Sequence, residues 1–301
     1  MTRSPSHFKP DWLALREPAD AAARSSRLTG LVVDRLETHT ALHALDLGTG
    51  TGANFRYLVE RLPPHQSWRL VDGDPVLLAD VPTRMQSWAG SRGFEVARIG
   101  GGLVLSDERL IGRARIECLD LATALDAAEA EMFAGRGLVT ASALLDLVSE
   151  RWLQALARQC RHVGAAVLFA LTYDGRIECS PGEPEDDTIR DLVNAHQQTD
   201  KGFGAALGAT ASSVAARTFA AEGYHAEREA SDWVLESDQQ ELQRQLIDGW
   251  VGAALEIAPG EASAIRSWHA RRLAHLAAGR SRVIVGHQDV VGWLPGRDAA
   301  G

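Results

Sequence analysis

The junction at residues 41–61 limits most strongly how this chain can fold. Ala41 to Leu47 is an apolar run holding one acid, Asp46, and it ends in three glycines at alternate positions, Gly48-Thr49-Gly50-Thr51-Gly52. Such a run suits a strand covered on both faces. Ala53 to Arg61 reads as the helix that follows, ended by Pro63-Pro64. Alternate glycines in a strand-to-helix turn let backbone come close to a ligand. The start of the next helix adds free N–H groups and a positive dipole end. The turn therefore suits a ligand with an anionic or polar tail. Gly48 to Ala53 also fits GxGxxA, a permitted form of the dinucleotide fingerprint, so a nicotinamide or flavin ligand stays open at this point.

Strand and helix alternate through the following residues. Trp68–Val71, Ala114–Leu119, Gly137–Ala141 and Ala165–Thr172 read as strands. Pro75 starts a helix, and another runs through Trp152 and Leu156. This rhythm predicts a parallel sheet wrapped by helices. Residues 89–115 are glycine-rich and predict a small hairpin excursion. Residues 181–209 are polar and break the alternation, and with 237–278 they read as a helical cap. A helix over 210–222, a strand over 224–235, a helix over 237–256 and a helix over 261–278 follow. Ser237-Asp238-Gln239-Gln240 predicts a capping box, and Gly279 a helix stop. Residues 281–293 close the chain as one strand. Residues 11–38 read as a helix broken at Pro18.

The 301 residues, 45% of them hydrophobic, suffice for one large core. A formal net charge of -9 disfavours a phosphate backbone, so no nucleic-acid partner is expected. Arg266, Arg271 and Arg272 read as a solvated helix face. The three cysteines, Cys118, Cys160 and Cys179, have no metal-ligand spacing and no pairing framework, so no metal site is expected. The first residues have no apolar signal region, and no run approaches the roughly 20 apolar residues of a membrane span. A soluble, cytoplasmic protein is the expectation.

Three acids narrow the ligand. Asp46 lies two residues before Gly48, where it would repel a pyrophosphate but favour a cationic group. Asp72 ends the second strand, where a carboxylate can take both hydroxyls of a ribose. Asp120 ends the third, where it can accept from an exocyclic amine while Leu121 lies on the ring. Each acid alone also suits a helix cap.

With these residues the chain resembles the class I S-adenosylmethionine-dependent methyltransferases. LDLGTGTG, VDGDP, CLDL and LVTASALLD carry the likeness, which covers about residues 40–175. The resemblance implies a doubly wound, Rossmann-like α/β sheet of seven strands with the last strand antiparallel. It implies a methyltransferase domain over 41–301, a helical lid over 1–40 and cap insertions near 181–209 and 237–278. It implies S-adenosylmethionine as cofactor and S-adenosylhomocysteine as product. Carried over, Gly48, Thr49, Gly50, Gly52 and Asn54 would lie against the methionine moiety. Asp72 and Gly73 would hold the ribose, and Asp120 and Leu121 the adenine. Asp46 would fix the loop and offset the positive charge. Arg16 or Arg24 would reach the cofactor carboxylate, or pair with Glu17 or Asp20 instead.

Methyl transfer asks little of the protein beyond positioning and exclusion of water. Ser142, at the end of the fourth strand, is a candidate pocket residue or a helix cap. Asp146 is a pocket acid or a solvated helix residue. No Asn/Asp-Pro-Pro-Tyr/Phe motif occurs, which argues against an adenine, cytosine or glutamine amide acceptor. The insert carries Asn194, His196, Gln197, Asp200 and Lys201, with His196 a candidate base and Lys201 a group for an acidic acceptor. Tyr173 and Asp174 follow the fifth strand. The expectation is methyl transfer to oxygen or nitrogen of a small-molecule acceptor. An NAD(P)-dependent oxidoreductase and a non-catalytic S-adenosylmethionine-binding module are the alternatives.

Overall fold

The structure, a computed structural model, describes residues 9–36, 41–123, 125 and 130–295. Two helices come first, α1 (Pro10–Ala23) and α2 (Ser26–Leu36). The expected break at Pro18 does not occur, and α1 runs through it. The chain turns at Arg24-Ser25 instead, because Ser25 is held from both sides. Its Oγ accepts from the Leu28 N–H at 3.0 Å, as an N-cap does, and its own N–H donates to Asp289 at 2.9 Å.

The alternating part follows as β1 (Leu42–Leu47), α3 (Ala53–Val59), β2 (His65–Asp72) and α4 (Pro75–Gly90). Next come β3 (Glu95–Ile99), β4 (Gly102–Ser106), β5 (Ile111–Cys118), β6 (Leu138–Ser142), α5 (Glu150–Val163) and β7 (Ala166–Ser180). The rest is α6 (Asp186–Gln197), α7 (Ala211–Ala221), β8 (His225–Ala230), β9 (Trp233–Leu235), α8 (Gln240–Ile257), α9 (Ala262–Ala277) and β10 (Arg282–Trp293).

The strands form one sheet in the order β3-β4-β5-β2-β1-β6-β7-β10-β8, with β9 paired to β10. Pairs from β5 to β7 are parallel, and β10 runs antiparallel to β7 and β8. The β3–β4 hairpin is the excursion expected at 89–115 and extends one edge. Without it and β9, the sheet has the seven strands and the reversed last strand expected. The strand order changes direction at β1, which has β2 on one side and β6 on the other. A crevice opens outside the carboxyl ends of the strands at such a point.

Alternation along β1 explains why its sequence is apolar throughout. Leu42 and Ala44 join a core under α2, α3 and α4 that contains Phe55 and Trp68. Leu45 and Leu47 join the opposite core, with Trp152 and Leu156 of α5 and Phe219 of α7. Successive residues face opposite sides, and helices cover both. A third core joins α6, α8 and α9 to the far ends of β7 and β10, around Trp233, Trp250 and Trp268.

The segment expected as a helical cap near 181–209 contains α6. Other expectations fail in this last region. The strand expected over 224–235 is two, parted at Ser231-Asp232; β8 pairs with the last residues of β10 and β9 with its first. The capping box at Ser237 does not form; α8 begins at Gln240, and Gln239 Oε1 accepts from the Glu236 N–H at 3.2 Å. Arg272 is not solvated. It is fully buried and donates to both Asp186 oxygens at 2.7 and 2.6 Å and to the Pro181 carbonyl at 2.6 Å. Arg271 pairs with Glu183 and Glu185, and Arg266 alone keeps an exposed position. No helix among the described residues is long and apolar enough to cross a membrane.

Removing one partner of a buried ion pair leaves the other charge uncompensated. Arg272→Ala should therefore cost about 3–5 kcal/mol in urea unfolding, whereas Arg266→Ala should stay within about 0.5 kcal/mol.

Candidate functional site

The glycine turn sits at the carboxyl end of β1, and all three glycines have positive φ, +65° at Gly48, +54° at Gly50 and +84° at Gly52. Their surroundings differ. A Cβ at Gly50 would meet Leu13 of α1 at 3.1 Å, and one at Gly48 would meet Leu144 at 3.3 Å. Both glycines line a chamber of 450 Å³. Gly52 does not line it and backs onto Val81 of α4, which a Cβ at this position would meet at 3.3 Å. Its role is to let α3 begin close against α4.

Asp46 lies fully buried beneath the turn. It accepts from Thr49 Oγ1 and from Asn54 Nδ2, each at 2.6 Å. Burial pushes its carboxyl up to about 6, against the pull of those two hydrogen bonds. Asn54 passes the link on: its Oδ1 accepts from Arg24 Nη1 at 2.6 Å, and its Nδ2 reaches Thr140 Oγ1 at 3.1 Å. The Arg24 guanidinium lies over the Tyr57 ring at 4.2 Å and 4.0 Å from Asp289. Its Nε and Nη2 are buried without a hydrogen-bond partner.

The first chamber gathers Thr49, Asn54, Asp72, Gly73, Asp120, Leu121 and Ser142, as well as the two glycines. Asp72 accepts the Gly50 N–H on one oxygen and the Asp74 N–H on the other, both at 2.8 Å. Each oxygen keeps a lone pair for a further donor. Burial raises its carboxyl above the ordinary range. Asp120 is exposed and accepts from the Ala122 N–H at 3.0 Å. Leu121 is buried beside it, fixed by Trp152 Nε1 donating to its carbonyl at 2.6 Å. Ser142 is not a helix cap; Ser149 caps α5. Leu13 and Arg16 of α1 form the opposite wall, so the N-terminal helix covers the glycine turn.

A second chamber of 640 Å³ adjoins the first. Arg16, Ala143, Leu147 and Lys201 border both. It brings together the three acceptor-side candidates, Tyr173, His196 and Lys201. The Tyr173 hydroxyl donates to Asn194 Oδ1 at 2.8 Å, and burial raises its pKa. His196 stands between Lys201 Nζ and Glu256, each 3.4 Å away. Gln197 also lines the chamber. Asp200 instead accepts the Gly202 and Gly204 N–H groups, and Asp174 pairs with Arg176. Arg16 pairs with Asp20 at 2.9 Å and lies over Trp233. Ala143, directly after β6, and Leu171, within β7, hold positive φ of +51° and +54°. Such strain in non-glycine residues is costly and tends to mark functional sites.

Asp146 is buried rather than a solvated helix residue, and burial pushes its carboxyl up to about 6. His287 and the tryptophans Trp12, Trp233 and Trp250 also line this chamber, and no local pattern marks them in the sequence. Burial pushes the His287 imidazole down to about 4. Among the described residues, no group of His, Cys, Asp or Glu side chains is placed to hold a metal ion.

No protein-family model and no curated protein matches this sequence. Solved structures do. A cyclopropane synthase from Mycobacterium tuberculosis aligns over 95% of this chain and 94% of its own, at 11% identity and a TM-score of 0.46. An S-adenosylmethionine-dependent methyltransferase from Geobacter sulfurreducens, in complex with S-adenosyl-L-homocysteine, aligns over 96% and 99%, at 14% identity and 0.43. A phosphoethanolamine N-methyltransferase from Haemonchus contortus aligns over 97% of this chain and 59% of its own, at 12% identity and 0.44.

His287 ties stability to pH. The unfolded chain takes up its proton near 6.5, the folded chain only near 4. Between these values the unfolded state binds more protons, so stability falls as pH falls. His287→Gln should remove about 2 kcal/mol of the stability lost between pH 7 and pH 5, as read by urea unfolding at the two pH values.

Proposed function

We propose that this protein transfers a methyl group from S-adenosylmethionine to a small-molecule acceptor. The observation that carries the reading is the pair of adjoining chambers at the strand ends. One holds a glycine turn and strand-end carboxylates, and the other combines tryptophan and leucine walls with polar groups such as Tyr173, His196 and Asp146. Their common border at Ala143 and Leu147 is where donor and acceptor would meet.

The residues present fit the cofactor. Asp72 has a free lone pair on each oxygen for the ribose hydroxyls. Leu121 offers an apolar face for the adenine, and Asp120 an acceptor for its amine. Arg24, whose buried Nε and Nη2 have no hydrogen-bond partner, lines a neighbouring cavity that meets the first chamber at Ala53 and Asn54, and it is the guanidinium placed to receive the carboxylate of the methionine tail. The bound cofactor supplies an activated methyl group on a positively charged sulfur. Asp46 holds the turn in shape from below and adds a negative charge near it. Leu13 and Arg16 of α1 close over the turn and exclude water, which strengthens every charge interaction inside. The cover of α6 and α8 over the second chamber supports a small acceptor rather than a macromolecular surface.

Calorimetric titration with S-adenosylmethionine, S-adenosylhomocysteine, NAD and NADP tests the reading. Micromolar binding of the first two alone is expected; binding of a nicotinamide cofactor in their place would overturn it. Asp72→Ala should weaken S-adenosylmethionine binding by about 2–4 kcal/mol, since hydrogen bonds to a charged group contribute about 1.5–3 kcal/mol each and do not add fully. A folded variant with unchanged affinity would remove Asp72 from the site.

A further inference from the structure

Trp12, Trp233 and Trp250 line the second chamber with Leu171 and Leu246. Walls of this kind suit a flat, apolar body. Asp146 is set into them, 6% exposed, and its Oδ1 has no hydrogen-bond partner. A buried carboxylate oxygen in that state is costly unless a ligand donates to it. His287 is in the same condition, 6% exposed with Nδ1 unpartnered, its ring 5.1 Å from Trp233 and 6.2 Å from Tyr173.

Three cations line this chamber, Lys9 in its own wall and Arg16 and Lys201 at its border with the first. Arg16 and Lys201 border both chambers, so they lie where the two meet. Arg16 is held by Asp20 and Trp233, and Lys201 lies beside His196. Two cations at the junction favour an acceptor atom that becomes negative and disfavour an ammonium. A carboxylate acceptor has no proton to give to Asp146 and would be repelled by it. A hydroxyl on an aromatic ring satisfies all three features.

Resting on the methyl-transfer reading, we propose that the second chamber takes a phenolic acceptor, with Asp146 receiving the hydroxyl proton and Arg16 and Lys201 favouring the oxygen anion. The O–H bond breaks and its proton passes to Asp146. The oxygen's electron pair forms the new bond to the methyl carbon. The carbon–sulfur bond breaks with its pair left on sulfur, so the products are an aryl methyl ether and a neutral thioether. Asp146 then returns the proton to solvent. His287, neutral in this setting, is a second polar point for a ring substituent.

The test is calorimetry at about pH 6.5, where 4-nitrophenol keeps its hydroxyl proton, on the full chain saturated with S-adenosylhomocysteine, using 4-nitrophenol, 4-nitrobenzylamine and 4-nitrobenzoate as probes. Saturation itself separates the two readings, because failure to bind S-adenosylhomocysteine overturns the methyl-transfer reading before any probe is added. Once it binds, 4-nitrophenol should bind about tenfold or more tighter than the other two. Asp146→Ala should weaken 4-nitrophenol about tenfold with S-adenosylhomocysteine affinity unchanged. Should that variant fail to fold, Asp146→Asn keeps the volume and an acceptor oxygen but cannot take up the proton. It should retain 4-nitrophenol and lose methyl transfer to it. Lys201→Met should narrow the preference for the phenol over the ammonium. Tighter binding of the ammonium or the carboxylate, no binding of 4-nitrophenol, or 4-nitrophenol binding indifferent to Asp146 would overturn the proposal.

Discussion

A continuous run of buried polar contacts from Asp46 to Asp289 holds the site in register. Asp46 fixes Thr49 and Asn54, Asn54 fixes Arg24, and Arg24 stands beside Asp289. Asp289 in turn accepts the Leu171 N–H at 2.8 Å and the Ser25 N–H at 2.9 Å. The run thus crosses β1, the start of α3, the α1–α2 turn, β10 and the middle of β7. Of these, the start of α3 supplies wall to the first chamber, and β7 and β10 supply wall to the second. Buried polar groups contribute little net stability when paired and cost much when one partner is lost. What they fix well is relative position, because few other arrangements satisfy all of them.

Asp289 also accounts for the strain at Leu171. The positive φ there turns the backbone N–H away from the β10 ladder, and the Asp289 carboxylate receives it. The register of β7 with β10 shifts between Val290 and Gln288, beside this point. Past the irregularity β7 continues to Ser180 and carries Tyr173 into the second chamber. The same carboxylate that sets the angle of α2 through Ser25 therefore sets where the acceptor wall begins.

The two chambers differ in how far the sequence reveals them. The first is built from short local patterns: an apolar strand, a glycine turn, and acids at the carboxyl ends of β2 and β5. Each pattern has its own physical reason, so Asp72, Asp120, Leu121 and the glycines at 48 and 50 can be read without knowing the fold. The second is assembled from α1, β7, α6, α8 and β10, between Trp12 and His287. His287 lies in an apolar closing strand and looks like any strand residue until β7 and β9 are paired beside it. Arg272 is similar. Its helix reads as solvated, and only Asp186 and Pro181, about ninety residues earlier, account for its burial. Pro18 misleads in the opposite sense, because a helix can absorb one missing hydrogen bond when the turn is held elsewhere. His196, Lys201 and Tyr173 are legible as polar residues near strand ends, but their common chamber depends on α6 forming.

The free donors of Arg24 connect this frame to the proposed cofactor. A buried donor left unpaired costs about 1–3 kcal/mol, and Arg24 carries two such nitrogens, Nε and Nη2. Its remaining contacts, with Asn54, Tyr57 and Asp289, join the glycine turn to the segment that positions α1. A carboxylate arriving at those nitrogens would give them the hydrogen bonds that Asp289, 4.0 Å away, does not make. Because α1 lies over Gly50 through Leu13, the same event would strengthen the hold of the covering helix on the turn. On the proposed reading, cofactor binding and closure of α1 are therefore one equilibrium rather than two, and the acceptor chamber, which shares Arg16 with the cofactor chamber, is completed in the same step.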